Sequence, residues 1–167
     1  MLRRDLLATS IALLTLPFPA GADTPSTFFE GPQSATLPLA RTIDGKLYLK
    51  APVMGRDLLL FIDTGALTIL DTAVARSLGL TLVDTGESGF GLTGLAGKRI
   101  SGRIDLRLGP FKITGLPVDF MDLGQLKAVS RSNGMPEFDG LIGAELLTML
   151  RAKIDFERLT LTLKRPR

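Results

Sequence analysis

Residues 58–70 read LLLFIDTGALTIL and place one carboxylate, that of Asp63, between two apolar runs. The run that ends at Ile62 is bounded by turn residues, which is typical of a buried strand over Asp57–Ile62. An isolated ionised carboxylate in apolar surroundings is costly, so a protein pairs it, hydrogen-bonds it or neutralises it. The fold must therefore provide Asp63 with a partner.

Thr64 and Gly65 follow Asp63 and offer part of that support. Gly65 can adopt a positive φ and lets backbone approach closely, so that amide N–H groups point at the carboxylate. The Thr64 hydroxyl can donate to backbone or to a facing chain. The alternative is an ordinary tight turn, because Asp-x-Gly is common in hairpins.

A second Asp-Thr-Gly begins at Asp84 and serves as an internal control. Glu87, Ser88 and Gly89 follow it, which is typical of a solvated turn, and we interpret Asp84 in that way. The two motifs begin only 21 residues apart, far fewer than a lobe requires. Two lobes with one motif each are therefore excluded.

The composition excludes several classes of function. The 167 residues fit one domain, and a formal charge of +3 from 20 basic and 17 acidic residues does not indicate nucleic acid binding. The chain has no His and no Cys, which removes Ser–His and Cys nucleophiles, disulfides, and metal sites of the imidazole or thiolate kind. We expect no metal and no cofactor, so acid–base chemistry is left to groups such as carboxylates.

Residues 1–22 have the features of a signal peptide. Two arginines precede an uncharged stretch that ends in Ala20-Gly21-Ala22, so we predict cleavage after Ala22 and export to the periplasm or beyond. A retained anchor is the alternative, although two prolines interrupt an apolar part that is short for a membrane span. Arg3 and Arg4 resemble a twin-arginine signal, and the export route stays open.

Short strand-like segments with turn signals between them fill residues 35–167, after a flexible leader over residues 23–34. Asp44-Gly45 and Gly109-Pro110 mark hairpin turns. This pattern predicts an all-β barrel or sandwich. The predicted strands are Ala35–Ile43, Lys46–Val53, Asp57–Ile62, Ile100–Leu108, Phe111–Ile113 and two alternating segments within residues 152–164.

Helices are few in this pattern. Asp71 is a predicted N-cap for a short helix that ends at Gly79, and Ala144–Leu150 is a second candidate. The polar segment Ser130–Met135 is typical of a loop. Asp139 precedes a glycine and is interpreted as a turn residue.

Glycines mark two further segments. SGFGLTGLAGKR (residues 88–99) suits a mobile hairpin tip or a disordered surface loop, and it does not match a phosphate-binding glycine loop. FDGLIGAELL (residues 138–147) places Gly143 just before a helix. Gly143 either allows close packing of chain segments or simply turns a strand into the helix.

Four segments together resemble the retropepsin-like aspartyl proteases, in particular the exported bacterial kind. They are FIDTGA (61–66), ARSLGL (75–80), SGFGLTGLAG (88–97) and DGLIGAELLTMLRAKIDFERLTLTL (139–163). The similarity runs from about Leu37 to Leu163. It implies an all-β, retropepsin-like acid-protease barrel with one or two short helices, and the activity of an aspartic endopeptidase.

The resemblance also implies roles for individual residues. Asp63 would be the catalytic aspartate, Thr64 would brace two active-site turns, and Gly65 would be the turn glycine. A flap from Phe90 to Gly97 would close over a peptide. The supporting residues would be Ala66, Leu141, Ile142 and Gly143, and the flap residues that contact substrate would be Phe90, Gly91, Leu92, Thr93 and Gly94.

Because such chains contribute one aspartate each, the implied active unit is a homodimer in which two Asp63 carboxylates meet on the two-fold axis. Two carboxylates this close cannot both ionise easily, so they share one proton. One acts as general base on a water, and the other protonates the peptide carbonyl oxygen and later the leaving nitrogen. The implied partners are a peptide or protein substrate and a second copy of the chain.

The chain departs from the family pattern after Gly143. Retroviral members continue with Arg and then Asn or Asp, which locks the dimer, whereas this chain has Ala144 and Glu145. We expect terminal strands that pair across the axis to hold the dimer instead. Ala66 lacks the hydroxyl that a serine would offer the carboxylate, and the only tyrosine, Tyr48, lies outside the flap.

Two other functions stay open on the sequence. A non-catalytic module of the same fold would bind an extended peptide by strand addition, and Asp63 would then be dispensable. A glycosidase would use Asp63 with another acid of the same chain. No second acid has a comparably apolar setting, and the scarcity of aromatic residues disfavours sugar stacking.

Overall fold

The computed structural model describes residues 27–90 and 96–166. The predicted signal peptide (residues 1–22), the first residues of the leader, and Gly91, Leu92, Thr93 and Gly94 of the predicted flap lie outside these ranges. The strands are β1 Phe28–Glu30, β2 Ser34–Pro38, β3 Ala40–Arg41, β4 Leu47–Val53, β5 Arg56–Ile62, β6 Ile69–Asp71, β7 Val83–Phe90, β8 Ala96–Leu108, β9 Phe111–Met121, β10 Gly140–Ile142, β11 Lys153–Asp155 and β12 Thr160–Lys164. The helices are α1 Thr72–Ser77, α2 Gly124–Ser132 and α3 Ala144–Met149.

Six of these strands close into a barrel in the order β9-β6-β10-β5-β4-β8, because β8 pairs with both β4 and β9. Most neighbours are antiparallel, whereas β10 runs parallel to β5 and β6 runs parallel to β9. A separate antiparallel sheet has the order β11-β12-β2. The all-β barrel predicted from the sequence is therefore confirmed.

The apolar run that precedes Asp63 is buried on both faces of β5, as its composition predicts. Leu58 and Leu60 face the main core, which also contains residues of β12 such as Leu161 and Leu163. Phe61 faces a second, smaller core together with Leu123 and Phe138. Alternate residues of one strand thus stabilise two separate apolar layers.

The local turn and capping signals also predict real elements. The Asp44-Gly45 turn joins β3 to β4, and Gly109 has a φ of 56° in the turn between β8 and β9. The Asp71 side chain accepts a hydrogen bond from the Ala73 N–H and caps α1, and Gly79 follows the helix with a φ of 62°. These turns and this cap depend only on neighbouring residues, and each of them forms where the sequence predicts it.

Three helices are present in the described residues, one more than the sequence predicted. The missed helix is α2, and Ser130–Ser132, predicted as loop, form its last turn. Its inward face carries Lys127 and the buried Ser130, and the buried Leu123 precedes the helix, while Leu126 and Val129 are exposed. Because polar residues occupy the buried positions of α2, its apolar periodicity does not indicate the face that it buries.

Three other predictions differ from the observed backbone. Asp84 is exposed as predicted, but it lies in β7 opposite Ile100 and not in a turn; a register shift separates it from Ser88. The predicted strand Ala35–Ile43 divides into β2 and β3, which belong to different sheets. The predicted leader contains β1, which pairs with β9 because Phe29 packs against the main core.

Within the described residues, no helix combines the length and apolar character needed to cross a membrane.

Candidate active site

Asp63 leaves β5 at the point where β10 ends. β10 lies between β5 and β6, with Ile142 opposite Ile62 and Leu141 opposite both Phe61 and Ile69. The Asp63 N–H continues the ladder by donating to the Ile142 carbonyl at 3.0 Å. The position of Asp63 is therefore fixed by two strands that come from distant parts of the chain.

We call residues 63–68 the active-site loop. The Gly65 N–H donates to Asp63 Oδ1 at 2.9 Å, so the loop provides the backbone donor that the sequence predicted. Gly65 does so without the positive φ that the sequence suggested, because a short turn from the Asp63 side chain to the N–H two residues on does not require one. Asp63 is partly buried, whereas Thr64 and Gly65 are exposed. The carboxylate thus combines a fixed backbone with a face that is open to solvent, where a substrate or a second chain can approach.

Gly143 packs directly against the far end of this loop. A Cβ added at residue 143 would lie 2.1 Å from the Leu67 carbonyl carbon and 2.3 Å from the Thr68 nitrogen. Only glycine fits at these distances, so the close-packing interpretation of Gly143 is confirmed. Ile142 is fully buried in the main core, and Leu141 packs on the second core.

Further hydrogen bonds join the loop to the segment that follows Gly143. The Gly143 N–H donates to Thr68 Oγ1 at 3.0 Å, and the Ala144 N–H donates to the Ala66 carbonyl at 2.8 Å. The Thr68 N–H donates to Glu145 Oε1 at 2.7 Å. Sequence reasoning missed Thr68 and the contact of Glu145, since both depend on how β10 is placed beside β6.

Residues 49–146 match the family model for aspartyl proteases, which is more than half of the chain and includes Asp63, Gly143 and Glu145. The chain belongs to the aspartyl protease family.

Solved structures of aspartyl proteases share its fold. A retropepsin-like aspartic protease from Rickettsia conorii aligns with a TM-score of 0.54 and 22% identity, over 84% of this chain and 94% of that one. The EIAV protease in complex with the inhibitor HBY-793 aligns with a TM-score of 0.51 and 18% identity, over 70% of this chain and 98% of that one. These likenesses show a retropepsin-like fold. No curated protein sequence matches the chain significantly.

Asp139 has a structural place in this aspartyl protease fold. Its Oδ2 accepts a hydrogen bond from the Leu59 N–H at 2.9 Å, and its own N–H donates to the Leu59 carbonyl at 2.7 Å. Its carbonyl accepts from the Asp71 N–H at 2.9 Å. Asp139 therefore joins β5 to β6 ahead of β10, in agreement with its interpretation as a turn residue.

The predicted flap of this aspartyl protease falls on the hairpin of β7 and β8. Phe90 is the last residue of β7 and pairs with Ala96, the first residue of β8; Gly89 pairs with Gly97. The structure thus shows paired hairpin strands at the base of the predicted flap. Of the residues predicted to contact substrate, Phe90 ends β7, whereas Gly91, Leu92, Thr93 and Gly94 lie outside the described residues, so their role stays a prediction.

No group of three or more carboxylates that could hold a metal ion occurs in residues 27–90 and 96–166.

Proposed function

We propose that this protein is an aspartic endopeptidase whose active unit is a homodimer, with one Asp63 from each chain. The observation that carries the proposal is the setting of Asp63. Its backbone is fixed by Ile142, its Oδ1 receives the Gly65 N–H, and its side chain is only partly buried. A carboxylate that is held rigidly and yet accessible is suited to activating a water.

A second copy is the natural source of the second carboxylate, because the acids on the elements that adjoin the loop already have other partners. Asp139 accepts from Leu59, and Glu145 accepts from Thr68. Asp71 caps α1 and pairs with Lys127. A single barrel with one Asp63 thus supplies half of a carboxylate pair, and two-fold symmetry would supply the other half.

In the proposed reaction the two Asp63 carboxylates hold one proton between them. The ionised one removes a proton from a water, which attacks the peptide carbonyl carbon. The protonated one gives its proton to the carbonyl oxygen. As the tetrahedral intermediate collapses, the first carboxyl passes the proton that it took from the water to the leaving nitrogen, and the second takes a proton back from a hydroxyl of the intermediate. The products are a new carboxyl terminus and a new amino terminus, and the pair returns to its starting state.

The small sheet limits how two chains can be joined by strands. Within the described residues, β12 pairs on one side with β11 and on the other with β2 of its own chain. Pairing of this small sheet across the two-fold axis would therefore use the outer edge of β2 or β11. We further propose that the protein acts after export, as residues 1–22 indicate.

The test is proteolysis of an unfolded protein by the purified chain between pH 3 and pH 7, with Asp63→Asn as the inactive variant. Asp84→Asn is the matched control, because it makes the same change in the other Asp-Thr-Gly. We expect Asp63→Asn to abolish cleavage and Asp84→Asn to retain it. Equal cleavage by wild type and Asp63→Asn, or none by either, would leave the non-catalytic peptide-binding module as the better account.

A further inference from the structure

Glu145 lies in the first turn of α3 and reaches back to the active-site loop. Its Oε1 accepts the Thr68 N–H at 2.7 Å. The proposed reaction does not use this carboxylate, and the side chain is exposed and so adds little to the core. This hydrogen bond joins Glu145 to the backbone of the loop that carries Asp63.

The contact matters because few side chains of the loop hold it in place. Thr64, Gly65 and Leu67 are exposed, so few side chains of the loop are buried. The bonds to residues 142–145 therefore fix most of its position. Three of them use neutral groups, and Glu145 supplies the one ionisable acceptor.

We propose that Glu145 is a positioning residue: it anchors the exit of the active-site loop through Thr68 and thereby orients Asp63 toward the carboxylate of the partner chain. This inference rests on the proposed function. A small displacement of a reacting group lowers the rate of the chemical step more than it lowers substrate binding, because alignment in the transition state is lost. Loss of the Glu145 contact should therefore lower kcat and leave KM largely unchanged.

Two substitutions separate the contact from the charge. Glu145→Ala removes the acceptor, whereas Glu145→Gln keeps an oxygen that can accept the Thr68 N–H. Glu157→Ala, at an exposed residue between β11 and β12, is the control for loss of one negative charge. We expect kcat to fall about tenfold in Glu145→Ala and to stay within about threefold of wild type in Glu145→Gln and Glu157→Ala, with KM within about twofold throughout.

Hydrogen exchange at the Thr68 amide gives a second readout that needs no activity. We expect its exchange in the purified protein to be about tenfold faster in Glu145→Ala and close to wild type in Glu145→Gln. Unchanged exchange in Glu145→Ala, or equal effects of Ala and Gln on kcat, would overturn the proposal. A wild type that cleaves nothing would overturn the proposed function and the catalytic part of this inference, while the exchange rates would still decide whether Glu145 anchors the loop.

Discussion

Asp71 and Lys127 form a largely buried ion pair that joins the N-terminus of α1 to the middle of α2. Their side chains are 6% and 19% exposed. Asp71 Oδ1 also accepts the Ala73 N–H at 2.8 Å, so the carboxylate caps one helix while it pairs with the other. The pair holds α2 over the second core, which lies against β5 and β10 beside the active-site loop.

Lys127→Met should lower the free energy of unfolding by about 3 kcal/mol, because it leaves the buried Asp71 carboxylate without its cation. Urea unfolding checks this value. The control is Lys112→Met, which breaks the exposed pair with Glu30 at 3.2 Å and should cost less than about 1 kcal/mol. Equal losses of unfolding free energy in the two variants would mean that the buried Asp71–Lys127 pair stabilises the fold no more than the exposed pair does.

Gly143→Ala should lower the free energy of unfolding by about 3 kcal/mol or more, since the new Cβ would overlap backbone atoms. The overlap is with the Leu67 carbonyl carbon at 2.1 Å and the Thr68 nitrogen at 2.3 Å, and neither atom can move without moving the loop. Gly124→Ala is the control, because its Cβ would meet only the Asp122 side chain at 3.0 Å. Thermal unfolding of the two variants should differ clearly, and a stable Gly143→Ala protein would contradict the packing.

Asp139→Ala should destabilise the fold by about 1–3 kcal/mol, because the Leu59 N–H loses its acceptor between paired strands. Asp139→Asn keeps an acceptor oxygen and should cost less. Denaturant unfolding measures both losses. If Asp139 is structural, the molecules that remain folded should keep wild-type activity in both variants, measured well below the unfolding midpoint. A complete loss of activity in stable Asp139→Asn would instead make Asp139 part of the chemistry.

The sequence predicts those features of this fold that depend on neighbouring residues. Three such features are local: the apolar runs on either side of Asp63, the helix cap at Asp71 and the two hairpin turns. Each of them is present in the structure. The helix α2 could not be predicted in the same way. Its inward-facing positions hold the buried Ser130 and Lys127, and the partner of Lys127, Asp71, comes from a distant part of the chain.

The candidate site also combines contacts that a local sequence predicts with contacts that only the tertiary fold creates. The Gly65 N–H on Asp63 follows from a turn of three residues. The Glu145 contact with Thr68 spans 77 residues of chain and requires β10 to lie between β5 and β6 in a particular register. Nothing in a single sequence defines that register for a strand of three residues, so the anchor of the loop appears only in the structure.

Asp155 should contribute to the pH dependence of stability at the acid end. The backbone N–H of Arg158, and then its guanidinium, lower the pKa of the Asp155 carboxyl below its usual 3.8. A group whose pKa is lower in the folded state stabilises the fold above its unfolded pKa, and this contribution is lost as the pH falls through the folded pKa. Asp155→Asn should therefore flatten the fall in unfolding free energy below pH 3.8.

Urea unfolding at a series of pH values tests this slope. Arg158→Ala should flatten it less than Asp155→Asn does, because the Arg158 backbone N–H still donates to Asp155 Oδ1 at 2.8 Å. If Asp155→Asn kept the wild-type slope, folding would not lower the pKa of the Asp155 carboxyl, and this prediction would be wrong.

Mixing wild type with Asp63→Asn should show whether two chains form one active site. If the subunits exchange and pair at random, an equal mixture should have about half of the wild-type activity per wild-type chain, because half of the wild-type chains sit in mixed dimers with one carboxylate. Mixing with Asp84→Asn should cause no such loss, since every dimer then has two Asp63 side chains. The measurement is initial cleavage rate at fixed wild-type concentration after long incubation. Activity that is independent of added Asp63→Asn would mean that one chain is sufficient, and the proposed carboxylate pair would be abandoned.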